Sequence, residues 1–245
     1  MKTKSLLLFA VMLLISATAS AQQVKILSFN NSLVEANKQY AMFNAMCEAM
    51  GKDAFWTHRS QLGRTLIYHY NDAFSHQLLK SDSWNYILLQ EQSALPRLSQ
   101  EAFIQSVLLW KKSIISECRN KKAKIILPMN WPYRDTLGTY KEDLEKLKKS
   151  YYNASRDIPD VIVCPIALAF DAVKTTYGEE EWRKLYNDEV HPNIRATYMG
   201  TCMEFAMIFG IDPLDITYVP KGVDPDVAKM MRKMASKALA DYKRY

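Results

Sequence analysis

The chain has 245 residues, 49% of them apolar, with 32 Lys and Arg against 26 Asp and Glu for a formal charge of +6. That length and apolar content suit one α/β domain with a full core and exclude a disordered chain. The basic surplus is scattered in the pairs Lys111-Lys112, Lys121-Lys122 and Lys148-Lys149, which read as solvated helix faces or helix ends; with no stripe of interleaved aromatics, nucleic acid is excluded as a partner.

The first segment is a leader. Lys2 and Lys4 precede an apolar run from Leu6 to Ile15, and small residues end it at Ala19-Ser20-Ala21. These are the three parts of a secretory signal. The run is short of the roughly 20 residues that span a bilayer. Residues 1–21 are therefore expected to be cleaved, leaving an exported protein, periplasmic or extracellular, with no stable membrane insertion. Without Lys2 and Lys4 the charge falls from +6 to +4. Residues 22–245 show no repeat or linker and are read as a single domain. Cys47, Cys118, Cys164 and Cys202 sit at wide spacing inside apolar patterns, as buried free thiols do.

Strands and helices then alternate. Residues 24–29 form a first strand, broken by Asn30-Asn31-Ser32, and the spacing predicts a helix over 34–50. A second strand over 54–58 ends in the turn Ser60-Gln61-Leu62-Gly63, before a helix over 64–79. A third, nearly continuous apolar strand over 84–89 runs into Gln90-Glu91-Gln92-Ser93. A helix over 99–118 carries Ser99 as its cap. Strands over 123–127 and 161–165 flank a polar helix over 139–153. Helices over 166–177, 194–209 and 225–242 complete the chain, the last begun by Asp224-Pro225. Five strand–helix repeats predict a three-layer α/β sandwich: a five-stranded parallel, flavodoxin-like sheet with helices on both faces. Sites in such sheets form where strands end in loops.

The chemistry centres on Leu185-Tyr-Asn-Asp-Glu-Val-His-Pro192. Asp188 and His191 share one loop, as a base and the carboxylate that orients it. Ser32, at the start of the first long helix, is the candidate nucleophile, and that helix end favours developing negative charge. The Ser32 amide, the Gly63 amide and the Gln92 side chain are candidate oxyanion donors. Trp131, Tyr133, Arg134 and Trp182 border the expected site and suit a sugar ring or acidic glycan; Asn31 and Arg64 complete the candidate binding set. Each residue has a plainer use: Ser32 as a cap, Asp188 in a turn, His191 in packing, Gln92 on loop backbone, the tryptophans in the core. His58 ends the second strand and could face the site, while His69 and His76 read as partly exposed. No histidine or cysteine spacing indicates a metal, and the chemistry needs no cofactor.

With these residues in place, the chain resembles the SGNH (GDSL-like) hydrolase superfamily, and most of all its secreted bacterial branch labelled a domain of unknown function. Asn30-Asn31-Ser32 stands where that superfamily has Gly-Asp-Ser, Gly63 maps to the second-block glycine, and Gln92 replaces the third-block asparagine. Asp188, His191 and Pro192 match its Asp-x-x-His-Pro. The resemblance implies a serine esterase that removes an acyl group, such as acetate, from a small-molecule or glycan substrate. Two rival readings remain open at this stage: a non-catalytic glycan-binding protein, and a glycosidase or acyltransferase using the same site.

Overall fold

The computed structural model describes residues 23–135 and 139–242. The predicted leader lies outside the described residues. Five parallel strands, β1 (Val24–Asn30), β2 (Ala54–Ser60), β3 (Tyr86–Leu89), β4 (Lys124–Pro128) and β5 (Val161–Cys164), form one sheet in the order β2-β1-β3-β4-β5. Consecutive residues along a strand point to opposite faces. Ile87, Leu88 and Leu89 are all buried, as are Ile125, Ile126 and Leu127, so both faces are covered, as the apolar runs predict.

The helices are α1 (Ser32–Glu35), α2 (Gln39–Ala49), α3 (Leu66–Tyr70), α4 (Ala73–Ser81), α5 (Leu95–Leu98), α6 (Gln100–Glu117), α7 (Tyr140–Asp157), α8 (Ile166–Tyr177), α9 (Glu179–Arg183), α10 (Ile194–Phe209) and α11 (Pro225–Tyr242). The last long helices, α8, α10 and α11, lie where the apolar spacing places them. Two predicted helices are each broken in two. Over 34–50 the break falls at Lys38, which is left-handed at φ 49°. Over 64–79 it falls at Asn71-Asp72, where Asp72 caps α4 by accepting from the Phe74 N–H. In each case both pieces bury apolar residues, so the periodicity runs through the break. The short α5 and α9 carry too few turns to show a period.

All four cysteines are free and buried. Lys111 departs from the solvated reading: it is buried along its stem and bonds Asp160 at 2.9 Å.

The register sets the site. Asn30 pairs with Ser60 and Phe29 with Leu89, so β2, β1 and β3 end level. The Gln61 N–H donates to Asn30 O and the Gln90 N–H to Phe29 O, each at 3.0 Å. These bonds carry the ladder into the turns after β2 and β3. The chain leaves β1 for β2 on one side and returns to β3 on the other. That switch point opens a crevice beside the end of β1.

Candidate active site

At the end of β1, Asn31 accepts from the Leu33 N–H through Oδ1 (3.2 Å) and so caps α1. Ser32 becomes the first helical residue, half-buried. With four residues, α1 is too short to supply the long-helix charge expected at Ser32; what it offers is the bare N–H of its first turn. Among the described residues the Ser32 N–H has no hydrogen-bond acceptor.

His191 reaches Ser32 from 159 residues away. Its Nε2 lies 2.9 Å from Ser32 Oγ, and its Nδ1 lies 2.7 Å from Asp188 Oδ2. Burial pushes the Asp188 carboxyl up, but the His191 and Val190 N–H groups and the imidazole outweigh it and hold the carboxyl at about 2. An ionised Asp188 can only accept, so the proton sits on Nδ1 and Nε2 presents a lone pair to the Ser32 hydroxyl.

The loop is fastened from several sides. Asp188 Oδ1 accepts from the Val190 and His191 N–H groups, both at 2.7 Å. Tyr186 bridges to Pro192, and the Asn187 N–H donates to His191 O at 2.9 Å. Trp131 Nε1 donates to Val190 O at 3.1 Å, the Tyr186 hydroxyl to Pro132 O at 2.7 Å, and the Arg134 N–H to Glu189 O at 2.8 Å. From the Ser32 side, Asn37 Nδ2 donates to Pro192 O at 2.8 Å and to Thr197 Oγ1 at 2.9 Å. Asn193 then caps α10 by accepting from the Arg195 and Ala196 N–H groups.

Of the expected oxyanion donors, Gly63 sits exposed in the turn after β2 at φ 68°, a left-handed conformation that favours glycine. Its N–H, like that of Ser32, has no acceptor among the described residues. The carbonyl end of Gln92 is fixed on the Ala94 and Leu95 N–H groups at 2.9 and 3.1 Å, and its amide donates to Ser93 Oγ at 3.3 Å. The Gln92 side chain thus braces its own turn, and its amide has a second hydrogen to offer.

The expected binding residues divide. Trp182 is 2% exposed, under Tyr140 and Tyr186, and Trp131 is 6% exposed and stacked on Phe170. Neither offers a face to a sugar; the tryptophans close the core, and Trp131 also holds the histidine loop. Asn31 is buried, with both ends of its amide bonded inside the protein, so it shapes the site instead of binding at it. Arg64 remains exposed, stacked over Tyr68. Tyr133 hydrogen-bonds Ser93 at 2.8 Å under the Arg97 guanidinium, and Arg134 pairs with Asp135. His58 faces Glu35 at 3.5 Å and stacks on Tyr40, and burial lowers its pKa. His69, expected to be partly exposed, is fully buried, and its Nε2 lies 2.9 Å from Asn30 O.

Asn37 and Glu91 support the site and were not singled out from the sequence. A carboxylate two residues past an apolar strand is the one signal that could have marked Glu91. Asn37 gave none, since its partner lies 155 residues away. Among the described residues no group of His, Cys, Asp or Glu could hold a metal ion, and no helix is long and apolar enough to cross a membrane.

A family model described as a domain of unknown function, DUF4886, matches residues 51–238. No curated protein matches the chain. Among solved structures, the chain is similar to a DUF4886 family protein from Bacteroides uniformis, with a TM-score of 0.78 at 16% identity over 89% of this chain and 95% of that one. It is also similar to a protein from Slackia heliotrinireducens provisionally assigned as an SGNH hydrolase (TM-score 0.64, 21% identity, 76% and 99% coverage). A third similarity is to a family 3 carbohydrate esterase from Clostridium thermocellum (TM-score 0.51, 9% identity, 91% and 98% coverage). Identities this low show a common fold, the five-stranded parallel sheet with its covering helices.

Proposed function

Since the chain belongs to the DUF4886 family and carries the fold of the SGNH hydrolases, we propose that it is an exported serine esterase that removes a short acyl group, acetate above all, from a carbohydrate. The observation that carries this reading is the relay from Ser32 Oγ through His191 to Asp188, at 2.9 and 2.7 Å. Ser32 attacks the ester carbonyl while His191 Nε2 takes its proton. The ionised Asp188 holds the ring and stabilises the imidazolium. The N–H groups of Ser32 and Gly63, joined by the Gln92 amide, receive the charge that forms on the carbonyl oxygen. His191 then protonates the leaving sugar oxygen, the acyl group stays on Ser32, and water activated by the same ring releases it as the acid.

The carbohydrate part rests on two supports. The esterase of similar fold from Clostridium thermocellum is a carbohydrate esterase. The relay is also open: the Asp188 side chain is 54% exposed and that of His191 is 35% exposed, which leaves room for a bulky leaving group. Export is supported by the leader pattern of residues 1–21. Labelling with a fluorophosphonate probe tests the chemistry. Wild type should label and Ser32→Ala should not; equal labelling of the two, or none of either, ends the serine-esterase reading.

A further inference from the structure

Glu91, in the turn after β3, is wholly buried. Its Oε1 accepts from the Gln92 N–H at 2.7 Å and from the Leu66 N–H at 3.0 Å, and its Oε2 has no partner. Its backbone carbonyl accepts from Asn31 Nδ2 and Asn130 Nδ2, both at 3.1 Å. Asn31 Nδ2 also approaches Arg64 O at 3.4 Å. One residue thus joins three segments: the start of α1 beside Ser32, the turn that runs from Gly63 to Leu66, and the turn that carries Gln92. Each supplies one of the oxyanion donors named above.

We propose that Glu91 is the positioning residue of the oxyanion pocket, its carboxylate tying the Gln92 turn to Leu66 at the end of the Gly63 turn while its backbone carbonyl holds Asn31 beside Ser32. This deepens the esterase reading and rests on it. A buried side chain with one oxygen bridging two backbone N–H groups and the other unpartnered is a costly way to hold a turn, since an unpaired buried polar atom is itself destabilising. A carboxylate accepts these N–H groups more strongly than an amide would. Burial raises the Glu91 carboxyl to about 7, against the pull of the Gln92 and Leu66 N–H groups, so as the pH rises through neutrality the ionised group accepts those N–H groups more strongly while its own contribution to folding stability falls. The charged and titratable groups on the surrounding elements leave this to Glu91. Tyr151 of α7 has its phenol raised far above its ordinary range by burial and accepts from the Asn130 N–H. His69 of α3 is lowered by burial and engaged with Asn30 O. Arg64 is exposed over Tyr68.

The test compares wild type, Ser32→Ala and Glu91→Gln with 4-nitrophenyl acetate and a fluorophosphonate. Glu91→Gln keeps the shape and loses the charge. It should lower kcat by about ten- to a hundredfold, the effect of misplacing a pocket by up to an ångström, with KM within about twofold. Its labelling rate should fall in step. A role confined to stability would leave kcat intact in the folded fraction. Wild-type kcat values and labelling retained in Glu91→Gln overturn the proposal while the esterase reading stands; failure of wild type to label or turn over ends both. Should Glu91→Gln not fold, wild type suffices. The Leu66 and Gln92 amide resonances should titrate together with one midpoint near 7, and amides that stay fixed or move with different midpoints overturn the brace.

Discussion

Asp188 and Glu204 are two carboxylates driven in opposite directions by their surroundings. Asp188 takes two backbone N–H groups and the imidazole, and its carboxyl is held at about 2 against the opposing effect of burial. It therefore stays ionised at any pH at which His191 could act as a base. Asp188→Asn removes the acceptor that fixes the Nδ1 proton. The expected loss in kcat on 4-nitrophenyl acetate is about 10³-fold, short of the roughly 10⁴ seen when a buried partner is lost, because water reaches this half-exposed side chain. Retention of more than a tenth of wild-type kcat would remove Asp188 from the relay. Glu204, buried on α10, has one hydrogen bond, from Gln39 Nε2 at 2.8 Å, and burial raises it from 4.5 to about 8. A carboxyl raised on folding stabilises fully below its unfolded value, and that contribution is lost as the pH rises through the folded one. Wild type should lose a few kcal/mol from this group between about pH 5 and pH 9. Glu204→Gln should lack that decline, matching wild type in urea at pH 5 and exceeding it at pH 9.

At the scale of elements, the break between α1 and α2 ties the nucleophile to its base. Apolar spacing marks a single helix over 34–50, with Tyr40, Phe43, Met46, Cys47 and Met50 at helical intervals, and both pieces do bury apolar residues, Val34 in one and Phe43 and Met46 in the other. Such spacing reports which residues are buried and is silent about a turn of the axis at Lys38. The turn frees Asn37 to bond Pro192 O and Thr197 Oγ1 across the crevice. Asn37→Ala should cost about 1–2 kcal/mol in urea denaturation, from one lost donor and the Pro192 carbonyl left with fewer partners. It should also lower kcat by about tenfold as the histidine loop loosens from Ser32. Equal stability with unchanged kcat would show that the loop is held from its other side alone. The strands, the long helices and the Asp188–His191 loop could be read because each is a local pattern. Trp131 and Trp182 misled for a related reason: an aromatic in a loop beside a site has the same sequence signature whether it faces a ligand or, as here, packs on Phe170 or under Tyr186.

The whole molecule places an open site at the edge of a filled sheet. Level strand ends at β2, β1 and β3 bring the Gly63, Ser32 and Gln92 turns together, and α10 carries its preceding loop back over them. Beside the relay, Leu33, Gln39, Gln90, Trp131 and Pro192 line a small hollow. Water-sized space inside it is confined to about one molecule. This geometry sets the chain-length dependence of the esterase. Each methylene taken from water into an apolar channel gains about 0.8 kcal/mol. A channel long enough for an octanoyl group would therefore favour it over acetyl by roughly 10³-fold or more in kcat/KM. A longer chain that lies along the surface of this open site keeps most of its hydration. Expected across 4-nitrophenyl acetate, butyrate and octanoate is a kcat/KM that stays level or falls with length. A steady rise of about fourfold per methylene would mean that the helices part to admit the chain, and it would move the substrate from acetylated sugars to lipids.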